Sequence, residues 1–177
     1  MKWNTHAVVG ANAVWLTVLV GRVDSTALLL MAVGALAGLL PDIDAGGSGA
    51  KIHHLGSGSL KMFRGVFEHR GFFHSVLAVF LLLLISLLVF FSFDPLLPLI
   101  ITTGYASHLI IDGFNFKGAR YLFPLRKKFH LVPKLFASPV GGIADTLFFL
   151  FGTIGILAFL FMNYDVFMTG ISFSSFF

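Results

Sequence analysis

The fold of this chain is decided by a pattern that is clearest in residues 96–112, which read LLPLIITTGYASHLIID. The segment is largely apolar until its last turn, where His108 and Asp112 stand four residues apart. That spacing puts both side chains on one face of a helix. Ionisable groups are costly in hydrocarbon and are usually retained there for a function. Similar residues stand at the ends of the other apolar segments, and their arrangement predicts both the fold and a site.

The composition places the chain in a lipid bilayer. Of its 177 residues, 57% are hydrophobic and only 11% are charged, and the mean hydropathy is +0.93. A soluble domain carries roughly 25% charged residues. The chain has no cysteine, which excludes disulfides and thiolate metal sites. Any bound metal must therefore be held by histidine nitrogen and carboxylate oxygen, a donor set that suits Zn²⁺, Mn²⁺ or iron.

Five apolar segments predict an all-α fold, a polytopic membrane helix bundle with about five transmembrane helices and two long cytoplasmic loops. We treat residues 1–177 as one integral membrane domain. The helices are expected at about residues 5–20, 26–40, 74–93, 96–112 and 142–162. A span needs roughly 20 residues, so the first, second and fourth segments require flanking residues or a locally thinned bilayer. The last stretch, Val166–Phe177, is too short for another crossing and is expected at the membrane interface.

The distribution of basic residues predicts the orientation. Five crossings put the amino terminus and two long loops, Pro41–Phe73 and Asp112–Gly141, on one side of the membrane. That side carries eleven of the twelve Lys and Arg residues, and the other side carries only Arg22. The positive-inside rule makes the basic side cytoplasmic, with the carboxyl terminus outside. The basic residues thus mark cytoplasmic loops in an inner-membrane protein, and no nucleic-acid partner is expected.

A signal peptide is the competing interpretation of the first segment. Lys2 precedes an apolar run, and Ala11-Asn12-Ala13 offers small residues for cleavage. Cleavage there would remove His6 and leave four crossings.

Every predicted helix delivers at least one possible metal ligand to the cytoplasmic layer. These candidates are His6, Asp42, Asp44, His69, His74, His108, Asp112 and Asp145. Asp42 and Asp44 alternate in an extended segment and can face one site, whereas His69 and His74 converge only if the chain breaks between them, as Gly71 allows. A single histidine at a helix end is usually an interfacial side chain, and Pro-Asp is often a helix stop. Their joint occurrence on one side of the membrane predicts a metal site.

These same residues resemble the YdjM family of predicted membrane-bound metal-dependent hydrolases. The matching stretches are Thr5-His6, Gly38 to Asp44, His69 to Ser75, Gly104 to His108 with Asp112, and Leu122 to Leu125. The resemblance covers about residues 1–150. It implies a helical inner-membrane protein whose His and Asp residues bind catalytic metal. The family often has His where Ala45 stands, and Glu where Asp145 stands.

The predicted activity is hydrolysis of a phosphoester in an amphiphilic, anionic substrate at the cytoplasmic leaflet. Seven or eight ligands exceed the four that one zinc ion usually takes, which favours two divalent ions. Asp42 or Asp44 is expected to bridge them and activate a water, so that Asp44 is a catalytic candidate. Arg70 is the second, because its guanidinium can bind a phosphate oxygen in a bidentate manner. The basic loop from Lys117 to Lys134 is expected to attract anionic headgroups.

Two other classes of function are compatible with a metal site. The first is a metal or ion transporter, or a membrane sensor without hydrolytic activity. Transport sites usually lie near the bilayer midplane, whereas these candidates cluster at one end. The second is a di-iron membrane oxidase or an intramembrane amidase, although such oxidases are usually richer in paired histidines.

Overall fold

Seven α-helices account for most of the residues that the computed structural model describes, which are 1–44, 72–123, 125, 127–133 and 137–169. Within these ranges the side chains of residues 43, 44 and 169 are not described. The helices are α1 (Trp3–Ala11), α2 (Trp15–Leu19), α3 (Ala27–Ala37), α4 (Val76–Phe90), α5 (Leu96–Asp112), α6 (Ile143–Met162) and α7 (Tyr164–Thr169). The described part of the chain has two isolated β-bridges and no strand. The prediction of a mostly helical protein is confirmed.

Only α6 among the described helices is both long and apolar enough to cross a membrane by itself, over 20 residues. The other predicted spans are shorter than expected. A 3-10 turn at Asn12–Val14 interrupts the first, and α3 has 11 residues. The third predicted span begins at Val76, because Ser75 has an extended backbone and caps the helix. The Ser75 Oγ accepts the Ala78 N–H at 3.2 Å. The prediction of five transmembrane helices is therefore not confirmed.

Two antiparallel hairpins form the body of the fold. The first pairs residues 3–19 with α3, and the second pairs α4 with α5. An ion pair joins the turns of the two hairpins, because Arg22 donates to both carboxylate oxygens of Asp94 at 2.7 and 2.9 Å. The turns therefore lie at one end of the bundle. The open ends of the hairpins lie together at the other end, where the candidate ligands stand.

Glycine permits the helices of the two hairpins to touch through their backbones. A Cβ built on Gly34 of α3 would lie 2.5 Å from the carbonyl oxygen of Gly10 in α1. A Cβ on Gly104 of α5 would lie 2.5 Å from the carbonyl oxygen of Gly34. Small residues at such contacts let membrane helices approach closely enough to gain dispersion energy. The three helices α1, α3 and α5 are therefore packed with no room for a side chain at these points.

Helix α6 packs on the outside of the first hairpin. The Asn12 side chain donates to the Gly152 carbonyl at 2.9 Å, and Phe159 is fully buried beside Val14 and Val23 near the turns. Most of the α6 surface is nevertheless apolar and exposed, including Phe151 at 64% and Phe161 at 84%. A continuous apolar surface of this kind is typical of a helix that faces lipid.

The Arg22–Asp94 pair predicts how stability depends on pH. Partial burial opposes ionisation of Asp94, but the hydrogen bonds from Arg22 and the Leu96 N–H, with the Arg22 charge, hold the pKa of Asp94 below its ordinary value. The pair therefore stabilises the fold above the unfolded pKa of about 3.9. In Asp94→Asn we expect a loss of roughly 0.5–1 kcal/mol of unfolding free energy near neutral pH, a loss that disappears as the pH falls through the folded pKa.

Unfolding of the two proteins in one detergent between about pH 3 and 7 measures this difference. Arg22→Gln should give the same pH profile as Asp94→Asn, and the double variant should show no further loss. A difference that stays constant across this range would contradict the prediction.

The glycine contacts predict a second stability effect. In Gly104→Ala the new methyl group meets the Gly34 carbonyl and forces α5 away from α3. We expect a loss of roughly 1–3 kcal/mol, as for other overpacked sites, measured as the free energy of unfolding in detergent. Ala32→Val adds side-chain volume at an exposed position of α3 and is the matched control. An equal loss in both variants would show that the close backbone contact is not responsible.

Candidate metal centre

Five of the eight ligands expected from the sequence meet at the open ends of the hairpins. They come from four places in the fold: His6 from α1, Asp42 from the 3-10 turn after α3, His74 from the 3-10 turn before α4, and His108 with Asp112 from the last turn of α5. His6, His74, His108 and Asp112 are at most 1% exposed, and the Asp42 side chain is 17% exposed. The cluster is therefore buried, and Asp42 lies on its more open side.

Asp42, His74 and His108 form a group with the dimensions of a metal site. The two Nε2 atoms of His74 and His108 are 3.3 Å apart, and each is 3.6 Å from Asp42 Oδ1. An ion bonded at about 2.0–2.2 Å to tetrahedral nitrogen and oxygen ligands separates those ligands by roughly 3.3–3.6 Å. The three atoms therefore need little movement to hold one ion.

The backbone fixes which nitrogen of His108 faces the cluster. Its Nδ1 lies 2.8 Å from the carbonyl oxygen of Gly38, which can only accept a hydrogen bond. The proton is thus on Nδ1, and the lone pair of Nε2 points toward His74. A second-shell hydrogen bond of this kind commonly orients a histidine that binds metal. The 3.3 Å approach to His74 requires either a proton on His74 Nε2 or a shared cation.

His6, His108 and Asp112 form a second group on the other side of His108. The His6 ring stacks on the His108 ring, with centroids 3.5 Å apart and planes 15° from parallel. His6 Nε2 is 3.5 Å from Asp112 Oδ1. Neither ring nitrogen of this buried histidine has a hydrogen bond to any described residue. Leaving such groups unsatisfied costs about 1–3 kcal/mol, which a bound ion would offset.

Asp112 connects the two groups. Its Oδ1 faces His6, and its Oδ2 lies 3.8 Å from His74 Nε2. The amino nitrogen of Met1 also donates to Oδ1 at 2.8 Å. The Asp112 carboxylate therefore contacts residues from both groups as well as the amino group of Met1.

The donor set fits a divalent cation. With neutral imidazoles, the two carboxylates give the five side chains a formal charge of −2, and nitrogen and oxygen ligands in this mixture suit zinc, manganese or iron. Among the described residues, the His and Asp groups are compatible with metal binding. The chemistry of the donor atoms and the unsatisfied nitrogens of His6 both favour a bound divalent cation.

The structure places Asp145 differently from the sequence-based expectation. It lies in the first turn of α6 and belongs to neither ligand group. Its Oδ1 accepts the Thr5 hydroxyl at 2.6 Å, and its Oδ2 accepts the Gly141 N–H at 2.6 Å. The Lys2 N–H reaches both oxygens, at 3.3 and 3.1 Å. The sequence pattern identified this carboxylate as part of the same layer but not its partners.

Three other predicted site residues cannot be placed in the cluster. His69 and Arg70 lie outside the described residues, as do Ala45, His53 and His54. Asp44 ends the 3-10 turn Leu40–Asp44, and its side chain lies outside the described part of the structure. Their predicted roles as ligand, catalytic residue or phosphate contact stay predictions.

Two residues near the site that support the ligands were not identified from the sequence. Gly38 supplies the carbonyl that orients His108. Tyr105 is buried and donates its hydroxyl to the carbonyl of Phe73, the residue before His74, at 2.5 Å. A tyrosine three residues before His108 was the available signal, since that spacing puts both on neighbouring parts of one helix face.

Comparison with known proteins gives a family and one curated relative. The chain is 35% identical over 99 residues to the uncharacterized protein YvsG of Bacillus subtilis (strain 168). That alignment covers 55% of this chain and 58% of the relative. No solved structure matches the chain.

The family description extends much further along the chain than this relative does. The sequence profile described as YdjM inner membrane protein matches residues 1–173, a range that contains all five clustered ligands. The chain therefore belongs to the YdjM family of inner membrane proteins.

Proposed function

We propose that this protein is a multi-pass inner-membrane hydrolase that uses a divalent metal centre to cleave a phosphoester of an amphiphile at the cytoplasmic face. The observation that carries the proposal is the buried set of three imidazoles and two carboxylates, whose closest donor atoms are 3.3–3.6 Å apart. A structural salt bridge does not need three histidines and two carboxylates in one buried set. A hydrolytic metal site needs such residues, because neutral histidines and carboxylates are the ligands that catalytic zinc uses.

The donors fall into two overlapping groups of three, Asp42–His74–His108 and His6–His108–Asp112. His108 has only Nε2 available, because Nδ1 donates to Gly38, so it can bond to one ion. Asp42, His74 and His108 would hold one ion, and His6 with Asp112 would supply ligands to a second. In this proposal Asp44 and His69 are the remaining predicted ligands.

Such an ion would lower the pKa of a bound water and polarise a phosphoryl oxygen. The surrounding protein contributes orientation and exclusion of bulk water. The Gly38 carbonyl orients the His108 ring, and the Tyr105 hydroxyl bonds to the carbonyl of the residue before His74. The cluster is buried except at Asp42. A substrate phosphate would therefore approach from the Asp42 side. Arg70, the anion contact predicted from the sequence, lies outside the described residues.

The charge distribution supports an amphiphilic anionic substrate and a cytoplasmic site. Lys117, Lys127 and Lys128 are exposed in the segment that follows the site end of α5, whereas Arg22 at the other end is paired with Asp94. The excess of basic residues assigns the site end to the cytoplasm by the positive-inside rule. Each such cation near an anionic membrane surface contributes about 1 kcal/mol of attraction for anionic lipid headgroups.

The proposed topology has five crossings with the amino terminus in the cytoplasm. Residues 3–19, α3, α4 and α5 are shorter than α6, so they cross where the bilayer is thinner or where flanking turns extend them. The exposed apolar faces of α4 and α6 support this arrangement. Leu88 of α4 is 86% exposed and Ile143 of α6 is 79% exposed, and large apolar surfaces of this kind mark sites of contact with a membrane or a partner.

The metal centre predicts loss of bound metal on substitution of its ligands. His74→Ala and His108→Ala each remove a ligand from the same ion, and we expect the affinity for zinc to fall by more than the 10–100-fold that loss of an outer contact causes. Elemental analysis after dialysis against a defined zinc concentration measures the ion count. His130→Ala is the matched control, since that histidine contacts the Phe116 carbonyl outside the cluster.

Circular dichroism distinguishes loss of ligand from loss of fold, because both variants should keep wild-type helicity. Equal zinc content in wild-type, His74→Ala and His108→Ala protein would contradict the metal centre.

Hydrolysis is a separate prediction. Purified protein in vesicles that contain phosphatidic acid or a polyprenyl phosphate should release inorganic phosphate, lose that activity on chelation and regain it with Zn²⁺ or Mn²⁺. Asp112→Asn should lower the rate at least about tenfold, because the carboxylate that contacts both ligand groups loses one of its oxygens. Protein that binds metal and is inactive on both vesicle types would contradict phosphoester hydrolysis of a lipid and leave transport or sensing as the function of the site.

A further inference from the structure

Asp145 makes an unusually complete set of hydrogen bonds for a carboxylate at a helix start. The Thr5 hydroxyl, the Lys2 N–H and the Gly141 N–H all donate to it, and the side chain is buried. Two of these donors belong to the beginning of α1, 140 and 143 residues away in the chain. The contact therefore ties the first turn of α1 to the first turn of α6.

The residue that follows Thr5 is His6, whose placement has little other polar support. Its ring stacks on His108 and approaches Asp112, but its nitrogens have no hydrogen bond to a described residue. A cavity of about 250 Å³ lies beside the first turn of α1, lined by Asn4, Thr5, Asp145 and neighbouring residues. Packing therefore leaves this turn room to shift, and hydrogen bonds must hold it.

We propose that Asp145 is a positioning residue for the metal centre and not one of its ligands. The inference rests on the proposed function, because the object being positioned is the metal ligand His6. Asp145 holds Thr5 so that the His6 ring stays over His108 and beside Asp112. This role gives α6 a function at the site although α6 contributes no ligand to either group.

The hydrogen-bond pattern distinguishes this role from direct ligation. A metal ligand needs an oxygen directed at the other donor atoms of the site, whereas Asp145 belongs to neither ligand group and its oxygens face protein donors at 2.6 Å. A carboxylate of this kind acts through the donors that it holds. Removing Thr5's hydroxyl should then have the same effect as removing the carboxylate.

The test is zinc affinity of the full-length protein in detergent, measured by competition with a chromophoric chelator. Asp145→Ala and Thr5→Val should each weaken zinc binding about 10–100-fold, as other outer contacts do, while Thr5→Ser keeps the hydroxyl and should restore near wild-type affinity. Thr146→Val is the matched control, because its exposed hydroxyl contacts only its own helix, at the Gly142 carbonyl, and lines the same cavity.

A double-variant cycle separates positioning from ligation. If Asp145 acts through His6, then His6→Ala with Asp145→Ala should bind zinc as weakly as His6→Ala alone, within about twofold. An independent ligand would instead give losses that multiply. If Asp145→Ala fails to fold, Thr5→Val removes the same hydrogen bond while keeping the carboxylate, and it can be combined with His6→Ala in the same way.

The outcomes also separate this inference from the proposed function. Wild-type protein that binds no zinc overturns the metal centre itself. Wild-type protein that binds zinc, with multiplicative losses for His6 and Asp145 or with unchanged affinity in Thr5→Val, overturns only the positioning role.

Discussion

The contact on which the structure depends is the backbone approach of α3 to both α1 and α5. Gly34 meets Gly10 on one side and Gly104 on the other, and no side chain separates the helices at these points. Apolar side chains gain little from leaving lipid for a protein interior, so close packing must provide the association energy. The same approach brings the Gly38 carbonyl to His108 Nδ1. The geometry of the ligands is thus a consequence of how closely three helices can pack.

The close packing also buries charged groups, and the neighbouring residues offset the cost of removing them from water only in part. Burying two carboxylates beside three imidazoles removes them from water, and an isolated buried charge is strongly unfavourable. Met1 and His6 surround Asp112, and Asp42 keeps partial exposure. A divalent cation would neutralise the carboxylates and satisfy a ring nitrogen of His6 at once. Binding would then stabilise the fold by mass action, so the site and the stability of the bundle are linked.

The sequence predicted the convergence of the ligands better than the helices that carry them. Counting apolar segments and basic residues placed His6, Asp42, His74, His108 and Asp112 in one layer, because antiparallel hairpins bring their open ends together. The predicted ends of the helices were less accurate. Ser75 caps α4 and makes it begin at Val76, and the 3-10 turn at Asn12–Val14 lies within the first apolar segment.

The Thr5 and Lys2 contacts of Asp145 could not be predicted, because those residues are 140 and 143 positions away and reach it only through tertiary packing. The choice of Nδ1 or Nε2 in His108 was likewise beyond sequence reasoning, since it depends on a carbonyl of another helix.

If α6 crosses the bilayer, the position of Asp145 on this helix sets the depth of the proposed site. A helix of 20 residues rises roughly 30 Å, which is about the thickness of the hydrocarbon core. Asp145 is in its first turn and bonds to the residue before His6. If α6 spans the bilayer, the metal ligands lie at the boundary between hydrocarbon and headgroups. A phosphate attached to an apolar chain occupies that level without leaving the membrane, whereas a fully soluble ester would have to enter it. The depth of the site is therefore an independent argument for an amphiphilic substrate.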